Sequence, residues 1–294
     1  MTAVRPIRQL VPAHTVTEGA GVTAHRTIGT PRLRHLDPFL MLDHFGSDDP
    51  QQYIAGFPDH PHRGFITLTY MIDGHMLHRD SMGNRGDLRA GGIQWMKAAS
   101  GVIHSEMPQQ TNGLMRGFQL WINLPAREKM SDPEYQDFGP EKIPAIQGDG
   151  ARVKVIAGEY VGARGPIDDP HTRVLYLDVA LDPGREFAHG VAPELTAFVF
   201  VFEGEARVGD ARLPLHALAV LGPGETVRVH AGEAGTRFIL VAGRPLKEPI
   251  VQYGPFVMTS HEEIERAIDD YNNNRLVRTR AEVVSSYATA SAKL

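Results

Sequence analysis

At 294 residues, the chain has room for two ordinary domains, or one large one, with a sizeable buried core. Its composition is that of a globular protein, 42% apolar and 22% charged. A net charge of −5 without any Lys/Arg-rich block excludes a general phosphate-binding surface. The absence of cysteine excludes disulfides, thiolate catalysis and cysteine-held zinc or iron–sulfur centres.

The first stretch, MTAVRPIRQLVPAHTV, lacks the uninterrupted apolar core of a secretory signal. No run of about 18 apolar residues follows that could cross a bilayer. A cytoplasmic chain without membrane contact is therefore expected. Thirty glycines and 21 prolines spread along the whole length predict many turns, as in an all-β protein. The apolar segments are short, rich in β-branched and aromatic residues, and bounded by turn formers. FITLTYMIDG (Phe65–Gly74) alternates and ends at Asp-Gly, GGIQWMKAASG (Gly91–Gly101) lies between glycines, and RGFQLWINLP (Arg116–Pro125) stops at proline. This spacing is that of a sandwich or barrel rather than of βαβ units. From Ala126 to Gly150 the texture becomes polar, with three prolines and no sustained period, which reads as a connector between domains.

After the connector the strand texture returns in RVKVIAGEYVG, TRVLYLDVALDPG, LTAFVFVFEGEARVG and RFILVAG. YMIDGHMLHRDSMG in the first half echoes FVFEGEARVGD in the second, and RAGGIQWMKAASG echoes ALAVLGPGETVRVHAGEAG. These echoes predict a tandem repeat of one β-domain, with residues 1–142 and 143–294 as the two units. One helix is expected near the end. In TSHEEIERAIDDYNNN, Ser260 and Glu263 form a capping box, and Ile264, Ala267, Ile268 and Tyr271 make one apolar stripe. The polar SSYATASAKL after it reads as a frayed tail.

The chemistry concentrates in two segments. In PDHPHRGF, His60 and His62 are one residue apart and so share a face of a strand, with Pro61 placing that strand at an edge. In SGVIHSEMPQ, His104 and Glu106 repeat the device. Two such strands facing each other in a small barrel would bring three imidazoles and one carboxylate to one point. That donor set suits a divalent first-row metal, with positions left for water, O₂ or a substrate; iron, nickel, manganese, copper and zinc all accept it. A blander reading stays open, in which His60 and His62 are polar loop residues and His104 and Glu106 an exposed hydrogen-bonded pair. His75 and His78, in DGHMLHRD, read as solvated hairpin positions without an acidic partner, and His44 as a core or turn residue. Trp95, Trp121 and Phe118 are expected to fill barrel interiors. Phe57 and Phe65 would give the site an apolar wall suited to an aromatic ligand. No Gly-x-Ser-x-Gly elbow and no phosphate loop occurs.

The segments GFPDHPHRGF, QWMKAASGVIHSEMP and GFQLWINLP resemble the pirin family of the cupin superfamily. The likeness continues through YLDVALDPG, AVLGPGE, RFILVAGRPLKEPIVQYGPFVM and the last helix, from about Arg5 to Arg275. The resemblance implies two tandem cupin barrels followed by a helix, with the metal in the N-terminal barrel. The family ligands map onto His60, His62, His104 and Glu106, with Fe(II) as the usual ion. It also implies one of two roles. The first is a quercetin 2,3-dioxygenase activity that opens a flavonol with release of carbon monoxide, Glu106 serving as ligand and base, and a small aromatic substrate and O₂ as partners. The second is an iron-dependent redox-sensing regulator that binds a protein partner and not nucleic acid directly. Ile66 stands where many members carry glutamate, which predicts a polar group lost from the site. The second barrel keeps only the isolated His189 and His230, so it is expected to be free of metal and to act as scaffold or interaction surface. The chain is expected to be a monomer.

Overall fold

The computed structural model describes residues 3–278. Its strands pair antiparallel in two barrels, and the one α-helix among the described residues comes after them. The first barrel is built from a seven-stranded and a four-stranded sheet, the second from a nine-stranded sheet. The expected all-β pair of cupin barrels with a C-terminal helix is what the chain forms. No helix among the described residues is long and apolar enough to cross a membrane.

The central strands explain why so much of the chain is apolar. Along Phe65–Asp73, the residues Ile66, Leu68, Tyr70 and Ile72 lie in a core shared by both barrels. The alternate residues Phe65, Thr67, Thr69 and Met71 are also buried, on the opposite face. Thr196–Val208 behaves likewise, sending Phe198, Phe200 and Phe202 to the shared core and Val199 and Val201 into the second barrel. Both faces of such strands are covered, so both read as apolar. The interior of the second barrel is filled by valine, leucine, alanine and phenylalanine. Of the two isolated histidines there, His230 pairs with Glu186 at 3.1 Å and His189 packs near Tyr160 and Phe187.

Trp95 and Phe118 belong to the core between the barrels, which corrects their expected place inside one. Polar ties cross the same seam. Tyr70 of the first barrel donates to Asp178 of the second at 2.6 Å, where Arg237 also binds, and Arg116 bridges Asp73 and Glu203. The polar stretch from Ala126 to Gly150 is more than a connector. Glu134–Phe138 adds an edge strand to the first sheet, beside Ile93–Lys97, and Ala145–Gly148 adds one to the second, beside Ala151–Ala157.

The chain ends cross over. Ile7–Pro12 pairs with Ala217–Leu221 in the second sheet. The C-terminal segment packs instead on the first barrel. There Val257 N–H donates to Arg63 at 3.0 Å, and the buried Arg63 guanidinium reaches Asp270 of the helix at 2.8 Å. Gly64 permits this docking: its φ is +90°, and a Cβ there would stand 2.0 Å from the Val257 carbonyl oxygen. The helix spans His261–Asn272, with Ser260 as the N-cap accepting from Glu263 N–H and with Ile264 and Ala267 buried. The Glu263 carboxylate accepts from Thr259 N–H at 2.9 Å, one residue before the partner of an ideal capping box. The expected frayed tail, Ser285–Leu294, lies outside the described residues.

Candidate metal centre

Phe57–His62 is the edge strand of the four-stranded sheet, where the missing N–H of Pro61 costs no ladder bond. It runs antiparallel to Val102–Pro108, and the register sets His104 directly opposite His60. A shift of register between His104 and Glu106 leaves Glu106 opposite Phe57. The period-two rule then sends all four side chains to the same face. The ligand atoms of His60, His62 and His104 lie within 4.8 Å of one another. Those of His104, Glu106 and His78 form a second, overlapping set within the same limit.

Burial grades across the group. His62, His104 and Glu106 are buried, and His60 is partly exposed. Burial pushes the imidazoles of His62 and His104 well below their ordinary range, helped by the neighbouring histidines, so both are neutral. His60 Nδ1 lies 2.8 Å from the Pro58 carbonyl, a bond that puts the proton on Nδ1 and frees Nε2. His62 Nδ1 and His104 Nε2 are buried with no hydrogen-bond partner among the described residues. Such atoms are costly unless something absent from the protein atoms completes them. Thr69 Oγ1 lies 3.2 Å from Glu106 Oε1 and 2.8 Å from Gln119, steadying the carboxylate from the next sheet. Neutral imidazoles with unpartnered nitrogens and one carboxylate fit a divalent first-row ion held by His60, His62, His104 and Glu106.

A cavity of about 710 Å³ opens onto this group, lined among others by Phe45, Phe57, Met41, Trp121, Gln119 and Arg26. Trp121 meets His62 edge-on at 5.2 Å and lies tilted by 33° against the buried Phe65 at 4.3 Å. The cavity also has acidic residues, Asp43 and Glu18, but Arg26 binds both, Asp43 through two bonds of 2.6 and 2.7 Å.

Three expectations need correction. Ile66 points into the core between the barrels, on the face of its strand opposite Thr69, so its apolar character removes nothing from the centre. His78 is no solvated hairpin residue: it is 1% exposed and lies 3.3 Å from His104. Both hairpin histidines have acidic partners, His75 in Asp87 and His78 in Asp80. The spacing His78-x-Asp80 carries the same signal as His104-x-Glu106. Thr69, Gln94 and Gln119 carry no chemical signature in sequence, and only the sheet register brings them in. His44 is a core residue, as expected, with Phe118 against its ring at 4.8 Å.

Comparison with known proteins agrees with this architecture. The family model for pirin matches residues 21–122, and the model for the pirin C-terminal cupin domain matches residues 176–277. A pirin-like protein of Caulobacter vibrioides is 47% identical over 274 residues, covering 92% of this chain and 99% of its own. Human pirin is 42% identical over 263 residues, covering 87% of this chain and 89% of its own. A crystal structure of quercetin 2,3-dioxygenase from Acinetobacter baumannii superposes with a TM-score of 0.87 at 34% identity, covering 93% of this chain and 99% of that one. Two matched domains in the right order, joined to identity that runs the length of the relatives, make this chain a member of the pirin family.

Proposed function

We propose that the chain is a metal-dependent dioxygenase that opens a flavonol such as quercetin, with the ion, Fe(II) in first place, held by His60, His62, His104 and Glu106. On this reading the metal-holding barrel lies within residues 1–142, of which Ile7–Pro12 completes the second sheet instead, and the unit of residues 143–294 is metal-free. The observation that carries the proposal is the imidazole group His60, His62 and His104, with Glu106 joined to it through His104, beside an aromatic-walled cavity of about 710 Å³, a volume that suits a drug-sized ring system. The similarity to a solved quercetin 2,3-dioxygenase supports the choice of substrate. A divalent ion bound there would act as a Lewis acid toward substrate oxygens and offer open positions beside them.

The protein's own part can be assigned residue by residue. Phe57, Met41 and Trp121 would bind the flat apolar body of the ligand and keep water from it. Among the cavity's carboxylates, Asp43 and Glu18 are engaged by Arg26 and Asp59 is exposed, so the buried Glu106, two residues from His104, is the one we assign to take the enol proton. The Thr69 hydroxyl, 3.2 Å from Glu106 Oε1, is the donor that holds that carboxylate.

The test is anaerobic loading with Fe(II), and in parallel with nickel, manganese, copper or zinc, then admission of O₂ with quercetin. Wild type should bleach the flavonol band and release one carbon monoxide per ring opened. Glu106→Gln should be slower by about 100-fold or more, the contribution expected of a general base. Equal rates for Glu106→Gln and wild type, or no bleaching with any ion, would contradict the proposal. Ion-dependent capture of a protein partner without turnover would favour a regulator instead.

A further inference from the structure

His78 and Asp80 stand on the strand His75–Asp80, paired across the sheet with Glu106 and His104 respectively. Cross-strand partners share a face, so both point to the interior that holds the ligands. Each of the two side chains is 1% exposed. His78 Nε2 lies 3.2 Å from Asp80 Oδ2, while its Nδ1 lies 2.8 Å from Gln94 Nε2 and 3.3 Å from His104 Nδ1. Tyr135 stacks on the ring at 4.6 Å. The Asp80 carboxylate is itself fixed by its turn: Oδ1 accepts from Met82 N–H at 2.9 Å and Asn84 N–H at 3.0 Å, and Oδ2 from Asn84 Nδ2 at 2.9 Å.

The protons follow from these contacts. A carboxylate only accepts, so His78 carries its proton on Nε2 and donates it to Asp80. Its Nδ1 is then bare, and the Gln94 amide N–H donates to it. His104 Nδ1 faces that same acceptor and must carry a proton to share it. A neutral imidazole has one proton, so the lone pair of His104 is left on Nε2, the atom that is buried without a partner among the described residues. Resting on the metal reading above, we propose that His78 is a positioning residue: aimed by Asp80 and Gln94, it fixes the tautomer of His104 that presents Nε2 to the ion. Partners of this kind orient a ligating imidazole and raise its basicity, and losing them costs about 10–100-fold in metal affinity.

Two variants separate this role from packing. In Asp80→Asn the two turn N–H groups require the amide oxygen, so the amide nitrogen faces His78 Nε2 and reverses the relay. His78→Phe keeps a ring on Tyr135 but removes the acceptor. The measurement is ¹⁵N NMR of histidine-labelled, metal-free protein, with the His104 signals identified by their loss in His104→Gln, followed by Zn(II) titration of each folded variant. Wild type should show a bare Nε2 on His104, and Asp80→Asn a bare Nδ1. Both variants should bind Zn(II) about 10–100-fold more weakly while melting near wild type. A protonated Nε2 on His104 in wild type would overturn the proposal. So would unchanged Zn(II) affinity in both variants when His104→Ala abolishes binding, an outcome that leaves the metal reading intact. Wild-type affinity in His104→Ala would instead overturn the metal reading, and the relay would then have no ion to serve. Two Zn(II) per chain, one lost in His78→Phe, would make His78 a ligand and also overturn it.

Discussion

Thr69 shows how a residue without reactivity of its own can matter to the centre. Its hydroxyl has one proton and two acceptors in reach, Glu106 Oε1 at 3.2 Å and Gln119 Oε1 at 2.8 Å; donated to Glu106, it limits where the only carboxylate of the proposed ligand set can point. Thr69→Val keeps the shape and deletes the bond. Metal affinity should fall about 10-fold, read by competition with a chromophoric chelator, with little change in melting. An unchanged affinity would mean that the carboxylate needs no such support. At this scale much of the centre was legible in the sequence. His60-x-His62 and His104-x-Glu106 announce themselves because side chains two apart share a face, and no strand order is needed to see it. His78 was misread although His78-x-Asp80 obeys the same rule, because its burial depends on which strand lies alongside. Ile66 was misread for the converse reason: one step of register turns a residue from barrel interior to barrel seam.

The Lys129 side chain fastens the last of the described elements to the first barrel. Its ammonium donates to Gly64 O at 2.8 Å, Asn123 Oδ1 at 2.7 Å and Val257 O at 3.0 Å, inside a nearly closed environment. Burial pushes its pKa down to about 7, with Glu248 and Glu263 opposing the shift. Lys129→Met removes three donors and leaves buried carbonyls unpaired, at about 1–3 kcal/mol for each group left without a partner, less the relieved cost of burying the amine. A net loss of about 2 kcal/mol is expected in urea unfolding. Hydrogen exchange should rise first in Val251–Tyr253 and Phe256–Met258, the hairpin that Lys129 holds. Uniform protection in the variant would contradict the fastening role. The helix beyond that hairpin was plain in the sequence from its cap and stripe, whereas its docking site was not, because its partners Arg63, Ile103 and Phe256 come from separate parts of the chain. The strands Glu134–Phe138 and Ala145–Gly148 escaped notice because edge strands with exposed faces have no apolar period to display.

Across the whole molecule, three histidines gather at the seam between the barrels, His44 buried and His25 and His216 half-buried. His25 and His44 come from the first barrel and His216 from the second. His25 stacks on His216 at 3.9 Å, and His44 lies 5.4 Å from it among Phe118, Phe200 and Phe202. Burial holds His44 well below its ordinary range, with His216, His25, Arg116 and Arg237 adding to the effect. Burial and His25 bring His216 down to about 4. These folded values lie below the unfolded value near 6.5, so the unfolded chain binds more protons as pH falls between about 6.5 and 4. Stability contributed by the neutral imidazoles is thus present above that window and lost on descending through it. His216 has a φ of +55°, a conformation that asparagine tolerates, so His216→Asn keeps the backbone and removes the titrating ring. Because His216 is half exposed, the variant should recover about 1 kcal/mol of the loss at pH 4. The check is a comparison of melting temperatures from pH 7 to pH 4, in which parallel curves would contradict the assignment. The tandem repeat was visible in the sequence as echoing turns, but the thickness of the shared core was not, since a strand buried on both faces looks like any apolar run.

The claim on which the function rests is that one divalent ion binds in the first barrel through His60, His62, His104 and Glu106. Anaerobic equilibrium dialysis against Fe(II), with metal counted per chain in wild type and in His104→Ala, tests it most directly. The account predicts one ion per wild-type chain and none retained by His104→Ala at the same free concentration. Equal loading of both proteins, or an unloaded wild type, would contradict it.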